Sequence, residues 1–485
     1  MLNKIKNFFG VWWGVLKQTW KDIFSDELNI MKLVVGISGV TLSINLGIID
    51  YNSIPVNGWQ LLTWGISVLV VTVILFISKT RPQKIRLKGW QWIIVVIPIA
   101  FVLRFYALEA NLLHVDELGV SGFALNHVFS QPGRTINPFI TGTSSMPSFF
   151  FYFPRLSYYL FGYSITALRL PSVLAGTLAV FMVYVMVKEL KSRRAGLFAA
   201  VLMAGYHYHI HWSRMALNNV WDTVWVPMML AGYAYGWRKK WSGGAVISGF
   251  ALGMSQYFYP GARLGIFMLV FLIIWLYRKD TDRKSLLVFS GKLSLVALTI
   301  AAPLLIYAIL KSDIFFQRMT VVFAWKEEYI LQAVGTIDYW KFFQYQLIKS
   351  LGAFTGLPDM TGFYRPDVPF LFGLSAVLFT IGFFWAIIKK QWFPVIWIVL
   401  TFIFAGMLIF GVPSSSHYVI SIPAIVWLIA LPLEWLSTRN KKGLLVLSIV
   451  LLIIMLLTDF FFYFFVYLYK NNSDLIFELP PWPFP

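Results

Sequence analysis

The sequence contains no cysteine and few charged residues for its 485 positions. Without cysteine there are no disulfides, no thiolate chemistry and no cysteine-ligated metal, although this absence identifies no redox compartment. Charged residues make up 13% of the chain, whereas soluble domains carry roughly 25%. Hydrophobic residues make up 59%, and apolar runs of about 20 residues, enough to cross a bilayer, recur along the whole chain. The composition therefore predicts an all-α polytopic membrane protein.

The basic residues predict the orientation of this protein in the membrane. With the N-terminus in the cytoplasm, lysine and arginine concentrate in every second connection, as the positive-inside rule requires. The net charge of +19 is then a signal of topology and of contact with anionic lipid. A nucleic-acid partner is disfavoured because no basic cluster lies on a soluble domain. About thirteen transmembrane helices are predicted, at 33–50, 59–79, 90–108, 168–189, 195–211, 219–236, 243–258, 262–277, 287–310, 368–388, 392–411, 417–436 and 443–468.

The predicted topology divides the chain into four parts. Residues 1–32 are expected to form a cytoplasmic amphipathic segment without a cleavable signal peptide, and 33–80 to form two accessory transmembrane helices. A core follows at 81–435, and 436–485 provides a final transmembrane helix and a short outer tail. The core has two long extracytoplasmic loops, 109–167 and 311–367, each expected to carry helices at the membrane interface. Neither internal repeats nor paired broken helices are evident, which disfavours a secondary transporter.

Two adjacent acids, Asp116 and Glu117, lie in the first outer loop just beyond the third predicted helix. One interpretation is a solvated acid pair, or an N-cap for a helix that starts near Leu118. The other is a general base, because a carboxylate that loses part of its hydration at a membrane edge becomes a better proton acceptor. The acid pair alone does not distinguish these two interpretations.

Basic side chains at the outer ends of predicted helices form a second candidate set. Arginine carries a planar fork that matches phosphate oxygens, and charges in a bilayer are usually functional or paired. Several such residues around one outer cavity would suit a lipid phosphate or diphosphate. The alternative is that they extend to lipid headgroups, which is the interpretation favoured for Arg104. The set comprises Arg104, Arg169, Arg214, Arg263 and His417.

A third candidate set begins at His207, His209 and His211. Residues two apart face different sides of a helix, whereas zinc pairs need a spacing of three or four. Only the first and last of these histidines can share a face, so a polar helix end is favoured over a metal site, which stays open as an alternative. Aromatic and basic residues occur together in the outer turns 255–264 and 413–423, and aromatic faces with hydroxyls suit a sugar.

The ordered motifs resemble those of a known superfamily. After the acid pair come "ITALRLPSVLAGTLAVFMVYVMVKEL", "AGLFAAVLMAGYHYHIHWSRMALNN", "YFYPGARL" and "SHYVISIP". This order resembles the GT-C glycosyltransferases of the polyprenyl-phosphate-sugar type, which include the protein O-mannosyltransferases, the lipid A aminoarabinose transferase and the galacturonosyl transferases of lipopolysaccharide. The resemblance covers about residues 90–435. It implies the GT-C fold, a multi-pass cell-membrane protein and an active site on the extracytoplasmic face.

The resemblance also implies roles for individual residues. A sugar would move from a polyprenyl-phosphate donor to an acceptor hydroxyl of a lipid, glycan or protein, with inversion and without a cofactor or metal. Two departures affect this comparison: many relatives have His-Pro-Pro where this chain has Ser145-Met146-Pro147, and many have Arg-Tyr where it has His417-Tyr418. The implied catalytic base is Asp116 with Glu117 as its neighbour. The implied donor-binding residues are Arg169, Arg214, Asn218, Tyr257, Tyr259, Arg263, His417 and Tyr418.

Two other functions remain as alternatives. A flippase or transporter of lipid-linked glycans would show repeat symmetry and charges at mid-bilayer. An oligosaccharide ligase or polymerase would concentrate its key residues in a large late outer loop, and 311–367 is long enough for that. Substituting Asp116 separates the hypotheses, because only the transferase makes this carboxylate indispensable.

Overall fold

The fold is described from a computed structural model of residues 27–52, 58–76, 91–110, 113–128, 137–140, 146–364, 367–439 and 441–468. Most of the predicted N-terminal amphipathic segment and the predicted outer tail lie outside these residues. Within the described ranges there is no β-strand, and one isolated antiparallel bridge joins Phe323 to Ile409. The prediction of an all-α protein is confirmed.

Twenty α-helices are numbered here in chain order over the described residues. The first ten are α1 (Glu27–Asn52), α2 (Gly58–Phe76), α3 (Gln91–Phe105), α4 (Val115–His127), α5 (Tyr152–Phe161), α6 (Ile165–Leu190), α7 (Arg193–Gly205), α8 (His207–Ser213), α9 (Asp222–Arg238) and α10 (Ser242–Ser255). The others are α11 (Leu264–Lys279), α12 (Arg283–Leu310), α13 (Ser312–Val322), α14 (Glu327–Val334), α15 (Tyr339–Thr355), α16 (Gly373–Ile388), α17 (Trp392–Thr401), α18 (Ser415–Tyr418), α19 (Ile422–Ser437) and α20 (Lys442–Phe461).

The long apolar helices make this a multi-pass membrane protein. Six helical segments of the described chain are long and apolar enough to cross a bilayer, and the pair α16 and α17, bent by 120°, brings the number to seven. Shorter apolar helices lie at Leu62–Phe76, Trp92–Phe105 and Ser242–Ser255. Each of the thirteen predicted segments overlaps at least one α-helix of the structure. The segment predicted at 195–211 is divided, because extended backbone at Tyr206 separates α7 from α8.

Small residues allow the central helices to approach closely. A Cβ atom at Gly382 in α16 would lie 2.0 Å from the carbonyl oxygen of Leu428 in α19. A Cβ atom at Gly244 in α10 would lie 2.3 Å from Cα of Gly236 in α9. Helices in a membrane associate mainly through such tight packing. These contacts bring the backbones of neighbouring helices together.

Both long loops contain helices, as predicted. The stretch 147–163 forms a turn of 3₁₀ helix followed by α5, whose Tyr159 and Phe161 are 84% and 64% exposed. The loop 311–367 forms α13, α14 and α15. The end of α13 is fixed to the segment after α17, because Ala324 N donates to the carbonyl of Leu408 at 2.9 Å. Helix α13 therefore lies between the end of α12 and residues 408–410.

Candidate active site

The two adjacent acids lie in the first turn of α4 and have different environments. The side chain of His114 caps this helix, with its Nδ1 atom accepting from Asp116 N at 3.1 Å. The carboxylate of Glu117 accepts in return from His114 N at 3.0 Å. The prediction that an acid caps a helix starting near Leu118 is therefore wrong, since the helix starts at Val115. Asp116 is exposed, whereas Glu117 is fully buried.

Glu117 forms a buried ion pair with Arg169. The Nε and Nη2 atoms of Arg169 donate to the two carboxylate oxygens at 2.8 Å each, and neither side chain is exposed. The carboxylate also accepts from Ala216 N at 2.7 Å. A further bond runs from Arg169 Nη1 to the carbonyl of Leu108 at 2.8 Å. Both residues therefore belong to a buried scaffold behind the acid loop, whereas the sequence assigned them to the base and to the donor site.

Arg214 and Arg104 extend this buried scaffold. The guanidinium of Arg214 donates to the carbonyls of Tyr106 and Ala107 at 2.5 Å each, where α3 has ended. The guanidinium of Arg104 donates to two carbonyls at the end of α7, at 3.0 Å each. Both side chains are 0% exposed. The prediction that Arg104 extends to lipid headgroups is wrong, and Arg214 binds backbone where a phosphate was predicted, because orphan carbonyls at helix ends need donors.

A cavity of about 260 Å³ lies in front of the first turn of α4. The aromatic rings of Phe150 and Phe151 and apolar side chains of α4 form one wall. Among the described lining residues, the charged groups are the carboxylate of Asp116 and the guanidinium of Arg318. Neither forms an ion pair with another described residue. The polar lining residues are Asp116, Asn218, Asn219, Tyr259, Arg318 and Ser416.

Tyr259 connects the cavity to His417. Its hydroxyl is hydrogen-bonded to Nδ1 of the histidine at 2.7 Å, and burial raises the pKa of the Tyr259 phenol above its ordinary value. The phenol is therefore protonated at neutral pH. The side-chain amide of Asn219 donates to the carbonyl of Ser416 at 3.0 Å. These contacts bring the late segment around Ser416 against the segment that contains Asn218.

Helix α13 supplies the cation of the cavity. Arg318 lines the cavity and is partly buried. One turn earlier, the ring of Phe315 lies 4.9 Å below the guanidinium of Arg263, in a cation–π contact. Arg263 was predicted to bind the donor, but it braces the helix that presents Arg318. His417 is not among the lining residues of the cavity, but it is hydrogen-bonded to Tyr259, which is.

Two of the predicted tyrosines belong to the protein core. The hydroxyl of Tyr257 donates to the carbonyl of Ile300 at 2.7 Å, and that of Tyr418 donates to the carbonyl of Ser350 at 3.0 Å. Both side chains are 0% exposed. Neither lines the cavity, although the sequence assigned both to the donor site. A buried phenol needs a hydrogen-bond acceptor, and a backbone carbonyl provides it in both cases.

The three histidines of α8 point to separate partners. His207 bonds to the hydroxyl of Tyr364 at 2.6 Å, and His211 bonds to the carbonyl of Phe363 at 2.9 Å. His209 faces the other side and contacts Arg104 at 2.7 Å. Within the described residues, no three His, Cys, Asp or Glu side chains are grouped as metal ligands.

Arg318 is the cavity residue that sequence reasoning missed. It lies in "SDIFFQRMTVV", which follows a membrane helix and is apolar on both sides of the arginine. A single cation in a short apolar helix is costly in a membrane environment unless it has a role. This arginine does not end a predicted transmembrane helix, and the candidate set was defined by that position.

Comparison with known proteins agrees with this architecture. The family model described as dolichyl-phosphate-mannose-protein mannosyltransferase matches residues 145–307, which is about one third of the chain. The match includes the segment from Arg169 to Arg263 and begins after Asp116. No curated protein matches the chain by sequence.

Solved structures share the fold. The apo oligosaccharyltransferase of Archaeoglobus fulgidus has a TM-score of 0.52 and 14% identity, covering 78% of this chain and 56% of its own. The same archaeal enzyme, AglB, in complex with an inhibitory peptide and a dolichol-phosphate has a TM-score of 0.51 and 14% identity, with 80% and 56% covered. ArnT from Cupriavidus metallidurans bound to undecaprenyl phosphate has a TM-score of 0.47 and 16% identity, with 74% and 63% covered. This chain thus spans 56% of the archaeal enzyme's length. The partial family match and the similarity to the archaeal enzyme agree with the GT-C glycosyltransferase fold that the sequence motifs imply.

Proposed function

We propose that this protein transfers a sugar from a polyprenyl-phosphate donor to an acceptor hydroxyl on the extracytoplasmic face of the cell membrane. One observation carries the proposal: Asp116 is the carboxylate that lines the cavity, and no described side chain neutralises it. Its neighbour Glu117 is fully used by the ion pair with Arg169. A general base needs an accessible carboxylate, and Asp116 is exposed and lines the cavity.

Arg318 is proposed to bind the phosphate of the donor. It lines the same cavity as Asp116 and has no carboxylate partner in the described part of the chain. A guanidinium matches phosphate oxygens in a bidentate manner. Negative charge develops on the phosphate as the sugar leaves, and a fixed cation at that position stabilises it. No metal ion is needed for this role.

Asn218, Tyr259 and the His417 behind it are proposed to orient the donor. The amide of Asn218 and the phenol of Tyr259 line the cavity, and both can donate to hydroxyl or phosphate oxygens. The rings of Phe150 and Phe151 offer flat apolar faces against which a sugar ring can pack. The cavity volume of about 260 Å³ is suited to one sugar unit at a time.

The proposed reaction is a single displacement. Asp116 removes the proton of the acceptor hydroxyl, whose oxygen forms a bond to the anomeric carbon of the donor sugar. The bond from that carbon to the phosphate oxygen breaks, and its electron pair leaves with the polyprenyl phosphate. One displacement inverts the anomeric configuration. A retaining reaction would need a second carboxylate as nucleophile at short range, and the described lining residues include one carboxylate.

The buried arginines and Glu117 are proposed to position the base. Arg104 and Arg214 hold the end of α3, and Arg169 holds both Leu108 and Glu117. Because Glu117 follows Asp116 directly, the ion pair fixes the first turn of α4 at the cavity wall. These residues act through the backbone and are positioning residues.

Membrane location follows from the same proposal. The lipid chain of the donor lies among the helices, and the acceptor, which is a lipid, a glycan or a protein, arrives from water. We expect the N-terminus to be cytoplasmic, as the distribution of basic residues predicts. The partners are thus the lipid-linked donor, the acceptor and membrane lipids, and no nucleic acid is expected.

Transfer of radiolabelled sugar in membranes tests the proposal. Defined polyprenyl-phosphate sugars are offered to the wild type and to Asp116→Asn, which is expected to be slower by about 10²–10⁴-fold, as for loss of a general base. Asp313→Asn removes an exposed acid of α13 and serves as the control with unchanged activity. Equal rates for wild type and Asp116→Asn would contradict the assignment of the base.

The same experiment separates the alternatives. A ligase or polymerase would use a lipid-diphosphate oligosaccharide, so this donor is tested in parallel. A flippase would move the donor across vesicle membranes without forming a new glycosidic bond. Transfer from the lipid-diphosphate oligosaccharide alone, or movement without transfer, would overturn the proposed function.

A further inference from the structure

Lys32 of α1 and Lys292 of α12 lie near each other, and neither has an acidic partner among the described residues. Lys32 is 7% exposed and Lys292 is partly buried. The ammonium of Lys292 donates to the hydroxyl of Ser242 at 3.1 Å, and the charge of Lys32 acts on it from α1. Neither lysine forms an ion pair with any described residue. Two like charges therefore lie near each other, one buried and one partly buried.

The packing of α1 against α12 determines this meeting. A Cβ atom at Gly36 would lie 2.9 Å from the side chain of Leu295, and one at Gly47 would lie 2.8 Å from Cα of Pro303. Residue numbers increase together along the two helices, so the helices run parallel. Lys32 lies about one turn before Gly36 in α1, and Lys292 lies about one turn before Leu295 in α12. The parallel packing therefore places the two lysines at the same level.

A groove begins at Val35, one helical turn after Lys32. It has a volume of about 420 Å³ and lies between α1 and α2. Val35, Gly39 and Leu42 line it from α1, at positions three, seven and ten after Lys32, which share one helical face with it. At 1.5 Å per residue the lined length is roughly 10–15 Å. The groove is predominantly apolar and runs away from the lysines along the helices.

Two cations at the end of an apolar groove have the chemistry of a lipid site. A buried charge is costly unless it is paired, and a phosphate is an anion that two ammonium groups and a hydroxyl can bind together. The groove beyond it fits a hydrocarbon chain. We propose that Lys32, Lys292 and Ser242 bind the phosphate of an anionic phospholipid, one acyl chain of which lies in the groove between α1 and α2.

This site is separate from the cavity at Asp116 and does not depend on the proposed transferase activity. The helices α1 and α2 precede the segment that resembles the superfamily, and the bound lipid joins them to α12. Lipid thereby completes the packing of this helix pair on the core.

Native mass spectrometry of the delipidated full chain tests the proposal. Phosphatidylglycerol, phosphatidylcholine with the same chains, undecaprenyl phosphate and inorganic phosphate are titrated separately. One molecule of phosphatidylglycerol is expected to remain bound to each protein chain. The double variant Lys32→Gln/Lys292→Gln is expected to weaken it about 30-fold, the factor for two basic residues that each contact anionic lipid. Lys441→Gln/Lys442→Gln removes two exposed lysines elsewhere and is expected to change nothing.

Ser38→Trp provides a second test that leaves the lysines intact. Ser38 is exposed and lines the groove, so the indole is expected to fill the groove and to displace phosphatidylglycerol while leaving the fold unchanged. Equal retention by wild type and the lysine double variant would overturn the site. Binding of inorganic phosphate alone, or a lysine double variant that loses undecaprenyl phosphate or phosphatidylcholine more than phosphatidylglycerol, would overturn its assignment to an anionic phospholipid.

Discussion

Replacing Glu117 by leucine is expected to destabilise the protein, whereas replacing its neighbour Asp116 by asparagine is expected to slow only the reaction. The leucine variant leaves the guanidinium of Arg169 buried without a counter-ion, which costs about 3–5 kcal/mol. It also leaves the amide of Ala216, now 2.7 Å from a carboxylate oxygen, without its acceptor. Asp116 has no side-chain partner among the described residues, so its substitution removes only a favourable charge at a helix N-terminus, about 0.3–1 kcal/mol.

Thermal unfolding of the purified protein measures the difference. Taking about 2 °C per kcal/mol for a large domain, Glu117→Leu is expected to lower the apparent Tm by about 6–10 °C, followed through the fluorescence of the 21 tryptophans. The double variant Glu117→Leu/Arg169→Met removes both charges and is expected to recover most of this loss. Asp116→Asn is expected to unfold within about 2 °C of the wild type.

The opposite pattern would refute the reasoning. A Glu117→Leu protein with the Tm of the wild type and no transfer activity would make Glu117 the base. A double variant as unstable as the single one would show that the destabilisation arises from packing and not from an unpaired guanidinium. In either case the division of roles between the adjacent acids would be wrong.

Three further substitutions test the cavity and the helix packing. Arg318→Gln is expected to slow transfer by about 10²–10³-fold, as for loss of one donor to a developing oxyanion, and Arg318→Lys is expected to recover part of the rate. Because burial raises the pKa of Tyr259, its phenol stays protonated over the working range, so Tyr259→Phe is expected to lower the rate without moving the alkaline limb of the pH–rate profile. Gly382→Ala forces a Cβ atom to 2.0 Å from the carbonyl oxygen of Leu428 and is expected to cost about 1–3 kcal/mol of stability, seen as a lower apparent Tm, with the open position Gly443→Ala as its control.

Hydrophobic pattern was sufficient to predict an all-α membrane protein. Long apolar runs located helices, because a helix that crosses a bilayer satisfies its own backbone hydrogen bonds and presents apolar side chains to lipid. The division at Tyr206 was missed, since α7 and α8 form one apolar run and only the extended backbone at this residue separates them. Hydropathy does not record such a break.

The site was predicted in part, because arginine serves two purposes near helix ends. Asp116, Asn218 and Tyr259 were predicted and line the cavity. Arg169 and Arg214 were assigned to the donor, yet their guanidinium groups bind Glu117 and backbone carbonyls. A phosphate and an orphan carbonyl attract the same side chain, so sequence alone cannot separate these roles.

Arg318 was missed because its position depends on long-range packing. The helix α13 is fixed at one end by the end of α12 and at the other by residues 408–410. About ninety residues separate Arg318 from residues 408–410. Its placement over the cavity therefore follows from tertiary contacts that no local pattern contains.

The buried arginines at the end of α3 also affect how the protein fits bilayers of different thickness. A free helix end can adjust to thicker or thinner lipid by tilting, but Arg104 and Arg214 tie this end to its neighbours through backbone carbonyls. The height of Asp116 is thus set inside the protein, while the height of a lipid-borne phosphate follows the surrounding leaflet. Under the proposed function, the acyl-chain length of the bilayer therefore determines in which membranes Asp116 and the donor phosphate come together.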